Sequence, residues 1–99
     1  MMNRYTLVDG IPTPEPCILK WGAWFETADR RVAFDSNENY RVSTVFLALN
    51  HNFGDGPPIL FETMVFKEGS SHDEDCRRYA TQEEAKKGHA ELVKEWLTE

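Results

Sequence analysis

Residues 40–66, YRVSTVFLALNHNFGDGPPILFETMVF, constrain this chain more than any other stretch. Two runs rich in valine, isoleucine, threonine and phenylalanine flank a short glycine and proline segment. The side chains of a strand alternate between two faces. In 40–51, Val42, Thr44, Phe46, Ala48 and Asn50 fall on one face, and Ser43, Val45, Leu47, Leu49 and His51 on the other. In 58–66, Ile59, Phe61, Thr63 and Val65 alternate with Leu60, Glu62, Met64 and Phe66. A connection of about seven residues favours antiparallel pairing. Because 40–51 is apolar on both faces near its middle, it is expected to be a central strand with cover on each side.

The flanking segments supply the cover. Ile18, Trp21, Phe25, Ala28 and Val32 recur at spacings of three and four, the signature of one helix face, and predict a helix over about 15–29. Thr13 would cap it and Pro14 would fill its first position. Gly22 lies mid-helix, through close approach of another backbone or simple tolerance. Before it, residues 4–9 alternate as a short strand ended by Gly10, and after it RVAF pairs with 40–51 around an Asp/Ser/Asn turn. Thr81-Gln82-Glu83-Glu84 is a capping box that opens a helix over 82–97, with Ala85, His89, Leu92, Val93 and Trp96 as its buried stripe. RRYA before it reads as a short strand, and 67–76 as an exposed, flexible acidic loop.

The expected fold is therefore α+β: one domain over 1–99, an antiparallel sheet of four to five strands and two helices, in the order strand, helix, strands, helix. If both helices lie on one face, the other is only partly covered, and an apolar uncovered face suits a partner or a homodimer.

Charge narrows the partners. The net charge is −6, with six acids and five bases in residues 1–50 but eleven acids and six bases in 51–99. Lysines and arginines cluster as pairs at most, so no basic stripe for nucleic acid exists, and no run is long enough for a membrane helix. The opening residues lack the apolar core of a secretory signal. Cys17 and Cys76 are read as free thiols of a reducing compartment.

Candidate chemistry is sparse. Glu62 interrupts an apolar strand, so it either faces solvent or is buried with a partner. Were residue 48 opposite it, Glu62 would share a face with Phe46 and Asn50, and could act as an acid, a base or an acceptor for a ligand. His51, Asn52 and Asp55 surround the glycine loop and could line a pocket with Glu62; a locally bonded strand-end histidine is the plainer reading of His51. Gly54-Asp55-Gly56-Pro57-Pro58 lacks the lysine and following helix of a phosphate loop and reads as a rigid turn. The run His72 to Cys76 lacks metal-site spacing and reads as a solvated acidic loop. His89 reads as a satisfied core-edge histidine. Trp21 and Trp24 are three apart on one helix and cannot both be central, so Trp24 is a candidate exposed anchor. No motif implies a cofactor, a metal or an enzyme.

WGAWFETADR at 21–30, RVSTVFLALNHNFGDGPPILFETMVF at 41–66 and RRYATQEEAKKGHAELV at 77–93 resemble a group of small proteins encoded by tailed phages and prophages. The resemblance spans over half the chain and is most distinctive in STVFLALNHNFGDGPP. It implies a setting, the cytoplasm of an infected bacterium, and no activity or site residue. The expected function is that of an accessory protein acting by binding, which inhibits or sequesters a host or defence protein or a small signalling nucleotide. A virion-associated homo-oligomer and a small acid–base enzyme using Glu62 and His51 are the alternatives.

Overall fold

The structure, a computed structural model, describes residues 3–98. Its elements are β1 (Tyr5–Val8), β2 (Ile11–Pro14), α1 (Ile18–Thr27), β3 (Arg31–Ser36), β4 (Tyr40–Phe46), β5 (Phe61–Lys67), β6 (Asp73–Tyr79) and α2 (Gln82–Trp96). The fold is α+β, with β1 and β2 forming one antiparallel hairpin and β3-β4-β5-β6 a second antiparallel sheet in sequence order.

The first departure from the sequence reading is β2. The segment expected to cap and start α1 instead returns along β1, with Val8 opposite Ile11. Asp9 and Gly10 both take positive φ, 53° and 79°. That is the two-residue turn whose twist matches a hairpin. Glu15 donates its N–H to the carbonyl of Arg4. Pro12 and Pro14 alternate with it, so their missing donors fall on the outer edge of the ladder. Helix α1 consequently starts only at Ile18, with Cys17 as an N-cap that makes no side-chain bond. The helix buries no residue completely; Ile18, which was read on its core stripe, stands exposed, and so does Leu19. Among the described residues, nothing lies near the position a Cβ would occupy at Gly22, so no backbone approach there requires that glycine.

The second departure is the length of β4. Its ladder with β5 runs from Tyr40 opposite Lys67 to Phe46 opposite Phe61 and does not continue to residue 51. Ala48, at φ 65°, bends the chain, and its carbonyl accepts from the N–H of Tyr5 and the indole of Trp21. The bend thereby ties β1, α1 and the end of β4 together. Similarly β5 starts at Phe61, not Pro58, and β6 starts at Asp73, inside the segment expected to be a loop. Pairing of β5 with β6 overrides the acidic composition of residues 73–75.

Both helices lie on the Phe46 and Phe61 side of the four-stranded sheet, α2 across its strands and α1 against its Phe46 end. Phe46, Ala48, Leu60, Phe61 and Ala85 form one core cluster, flanked by Trp21, Trp24 and Phe25 of α1. Val42, Val65 and Leu92 form the second, flanked by Tyr40, Val93 and Trp96. Cover on each side of β4, as its sequence suggested, is therefore not found. Among the described residues, no helix lies on the Ser43 and Val45 face. The capping box at Thr81 and Glu84 forms as expected, with reciprocal side-chain and backbone bonds. Helix α2 is held over the sheet by Arg77 to Glu91 at 2.9 Å and by the Trp96 indole donating to Asp75 at 3.2 Å. Among the described residues, no helix is long and apolar enough to cross a membrane.

Candidate functional site

Two polar arrangements stand out, one under the helices and one on the open face. Under α2, His89 lies between the exposed carboxylate of Asp35 and the buried hydroxyl of Thr44. Its Nε2 is 2.8 Å from Asp35 Oδ2 and its Nδ1 is 2.7 Å from Thr44 Oγ1, which in turn bonds to Thr63 Oγ1. A neutral imidazole gives the chain one polarity: Thr63 donates to Thr44, Thr44 to Nδ1, and Nε2–H to Asp35. Acid, imidazole and hydroxyl are thus lined up as in a nucleophilic hydrolase. Thr44, however, is 0% exposed, and no substrate carbonyl can reach its oxygen. The row satisfies polar atoms in the core, in keeping with the structural reading of His89.

The open face is built from alternate residues. Val45 is opposite Glu62, Ser43 opposite Met64 and Arg41 opposite Phe66. On the flanks, Phe34 faces Ser43, Arg31 faces Val45, Cys76 faces Met64 and Arg78 faces Glu62. Ser43, Val45, Glu62, Met64 and Phe66 line a shallow groove of about 180 Å3. Arginines lie over its aromatic flanks, Arg31 at 4.5 Å from the Phe34 ring and Arg41 at 5.0 Å from the Phe66 ring.

Glu62 is the charged residue of the groove. It is 8% exposed, and its Oε2 accepts from Arg78 Nε at 2.8 Å and from the Cys76 thiol at 3.7 Å. The carboxylate is therefore buried with a partner. The register puts Val45, not residue 48, opposite it, so it does not share a face with Phe46 and Asn50. Its carboxylate holds the Arg78 guanidinium above its ordinary value through their hydrogen bond. Burial, then the charge of Glu62, pushes the Cys76 thiol up.

That shift has a measurable sign. A raised thiol pKa favours the protonated form in the folded state, so its stabilising contribution is present below the ordinary thiol pKa and lost as pH rises through the folded value. Alkylation of Cys76 by iodoacetamide, followed in a Cys17→Ser background, is expected to rise with pH later than in the unfolded chain. Glu62→Gln is expected to move that profile back toward lower pH, and an unmoved profile would exclude Glu62 as a cause.

The remaining sequence candidates sit elsewhere. His51 donates its N–H to the Ile59 carbonyl, and its Nδ1 bonds to the Leu49 carbonyl at 2.9 Å. Ile59 precedes Glu62 by three residues, about 10 Å along an extended chain. The structure therefore does not bring His51 and Glu62 together for shared acid–base chemistry. Asn50 and Asn52 fold the loop itself. Asn50 Oδ1 accepts from the N–H groups of Asn52 and Ile59, and Asn52 Oδ1 from that of Gly54. Asn52 Nδ2 donates to the carbonyls of Asp55 and Pro57. Asp55 is exposed on this loop, and Gly56 turns it at φ 109°. Trp24 is half-buried, edge-on to Phe46 at 6.0 Å, and is no exposed anchor.

Sequence reasoning missed the residue this loop displays. Phe53 is 93% exposed. Its signal was present, a lone phenylalanine among asparagines, glycines and prolines, where no strand or helix could bury it. Among the described residues, no three His, Cys, Asp or Glu side chains gather as a metal-holding group. Comparison with family models, with curated proteins and with solved structures finds no match for this chain.

Proposed function

We propose that this is a small accessory protein that acts by binding another protein, and that the open face of the four-stranded sheet is its contact surface. The observation that carries this is the uncovered strip formed by Val45, Met64, Phe66 and Phe34, flanked by Arg31 and Arg41. Apolar and aromatic residues with a polar rim are the anatomy of a protein interface. A nucleotide is the weaker ligand, because small-molecule sites usually enclose about 300–1,000 Å3 and are more concave. The groove, at about 180 Å3, takes a side chain. The resemblance to tailed-phage proteins suggests an infected bacterial cytoplasm as the setting, with a host or defence protein as the target.

The test is native mass spectrometry of tagged protein purified from infected cells, alongside a Met64→Lys variant. A stoichiometric protein partner is expected on the parent chain. The variant should lose at least about 10-fold in affinity for it, since a charge in the strip replaces an apolar contact. Circular dichroism checks that the variant folds. A complex that survives the substitution would place the contact elsewhere, and a co-purifying nucleotide without a protein would overturn the reading.

A further inference from the structure

The open face and the Phe53 loop complement each other across two molecules. Beyond the last paired residues of β4 and β5 the two chains still run side by side, with Leu47 N–H to the Leu60 carbonyl and His51 N–H to the Ile59 carbonyl. The loop at the end of this extension is held by five hydrogen bonds from the side chains of Asn50 and Asn52. Phe53 stands on it at 93% exposure. A chain gains nothing within one molecule by holding a phenylalanine in water on a pre-ordered loop. Pre-ordering does reduce the entropy lost when that ring enters a pocket.

We infer that two copies of this chain associate reciprocally, with Phe53 of each seated in the Val45–Met64–Phe66 groove of the other and Asp55 set against the partner's Arg31. This rests on the reading of the open face as a binding surface. The groove, at about 180 Å3, has room for one phenyl side chain. Charge agrees as well. Arg31 lies beside the groove opposite Val45, and among the described residues its guanidinium has no ion pair. Arg41 and Arg78, in contrast, are paired with Glu68 and Glu62. Asp55 is an acid two residues from Phe53 and likewise without an ion pair among those residues. Asp73, opposite Phe66, holds the far edge of the face negative and so favours one orientation of the incoming loop.

Area bears on whether the sheet face alone is large enough for a specific contact. Four strands of about seven residues cover roughly 400 Å2, and a seated phenylalanine adds roughly 200 Å2. Two such surfaces come to roughly 1,200 Å2, the lower end of specific interfaces. The sheet face alone falls short of it. The dimer therefore depends on the loop, and an interface at this lower end is expected to be weak, with a dissociation constant on the order of 1–100 µM.

Sedimentation velocity between about 1 and 300 µM tests this, spanning the estimated dissociation constant. The parent chain is expected to pass from monomer to dimer. Phe53→Ala should weaken association by roughly 30-fold or more, as for a central aromatic anchor. Because Phe53 touches little of its own chain, the fold should be unchanged. Arg31→Glu should weaken association and Arg31→Glu with Asp55→Arg should restore it. A parent chain that stays monomeric throughout, or a dimer indifferent to Phe53→Ala, overturns the inference. Both contacts use the Met64 groove, so the dimer and a heterologous complex exclude each other on one face; the proposed function is judged separately, by loss of the heterologous partner in Met64→Lys. Conversely, dimer loss in Phe53→Ala without any heterologous partner would leave the inference standing and remove the function.

Discussion

Replacing Gly88 by alanine is expected to destabilise the protein, and to do the opposite when Tyr79 is also replaced by alanine. Gly88 lies inside α2, where alanine is normally favoured by about 1 kcal/mol. Tyr79, opposite Phe61 on the covered face, sends its ring under the helix at this point. A Cβ on Gly88 would collide with the hydroxyl and two ring carbons of Tyr79. Either α2 lifts from the sheet or the ring leaves its place, and overpacking of this kind costs about 1–3 kcal/mol, occasionally more. With the contacts falling on the tyrosine's hydroxyl and ring, the collision is expected to outweigh the helix preference, for a net loss of up to about 2 kcal/mol in denaturant unfolding at 25 °C. In a Tyr79→Ala background the collision is gone, and Gly88→Ala should stabilise by up to about 1 kcal/mol. Equal effects in both backgrounds would show that the glycine is not there for the tyrosine.

His89→Ala is expected to cost about 2–4 kcal/mol, the larger effect of the two. The imidazole is buried, fills space beneath α2, and joins Thr44 to Asp35. Its loss leaves a cavity and removes two hydrogen bonds, although Thr44 keeps Thr63. Thr44→Val should cost about 1–3 kcal/mol, because it leaves the buried Nδ1 without a partner. Asp35→Ala should cost no more than about 1 kcal/mol, because that carboxylate is more than half exposed and partly screened. Chemical denaturation of the three variants checks the order. An Asp35 effect as large as that of His89 would mean that the outer contact, not the buried one, holds the histidine.

The elements that sequence revealed are those coded by close neighbours. The capping box at Thr81 and Glu84 and the stripe of Ala85, His89 and Leu92 need only one helix to be read, and both are present. The alternation in 40–46 and 61–66 is likewise local, and the two strands pair antiparallel. The missed hairpin at Asp9 and Gly10 was legible too, since an Asp-Gly pair between apolar residues is a strong hairpin signal. The prolines of 11–14 outweighed it in the reading, because prolines also open helices. Residues 73–76 could not be recognised as strand from composition. Acidic residues disfavour strands locally, and here pairing with β5 prevails.

The candidate site divides along the same line. Glu62 was visible as a charge inside an apolar run, and a buried carboxylate with a partner was one of its readings. Which partner depended on register. A strand shifted by one residue turns every side chain to the other face, and the pairing of Val45 with Glu62 sets Arg78 and Cys76 beside it and leaves His51 far away. By itself, then, the sequence determined the elements of this protein, two helices and a long antiparallel pair, through spacing, caps and turn residues. Tertiary structure alone decided that both helices lie on one side of the sheet, that Gly88 must stay small for Tyr79, and that Phe53 stands free on a loop tied by Asn50 and Asn52. These outcomes depend on the packing of distant residues, and no local periodicity encodes which of two apolar faces will be left open.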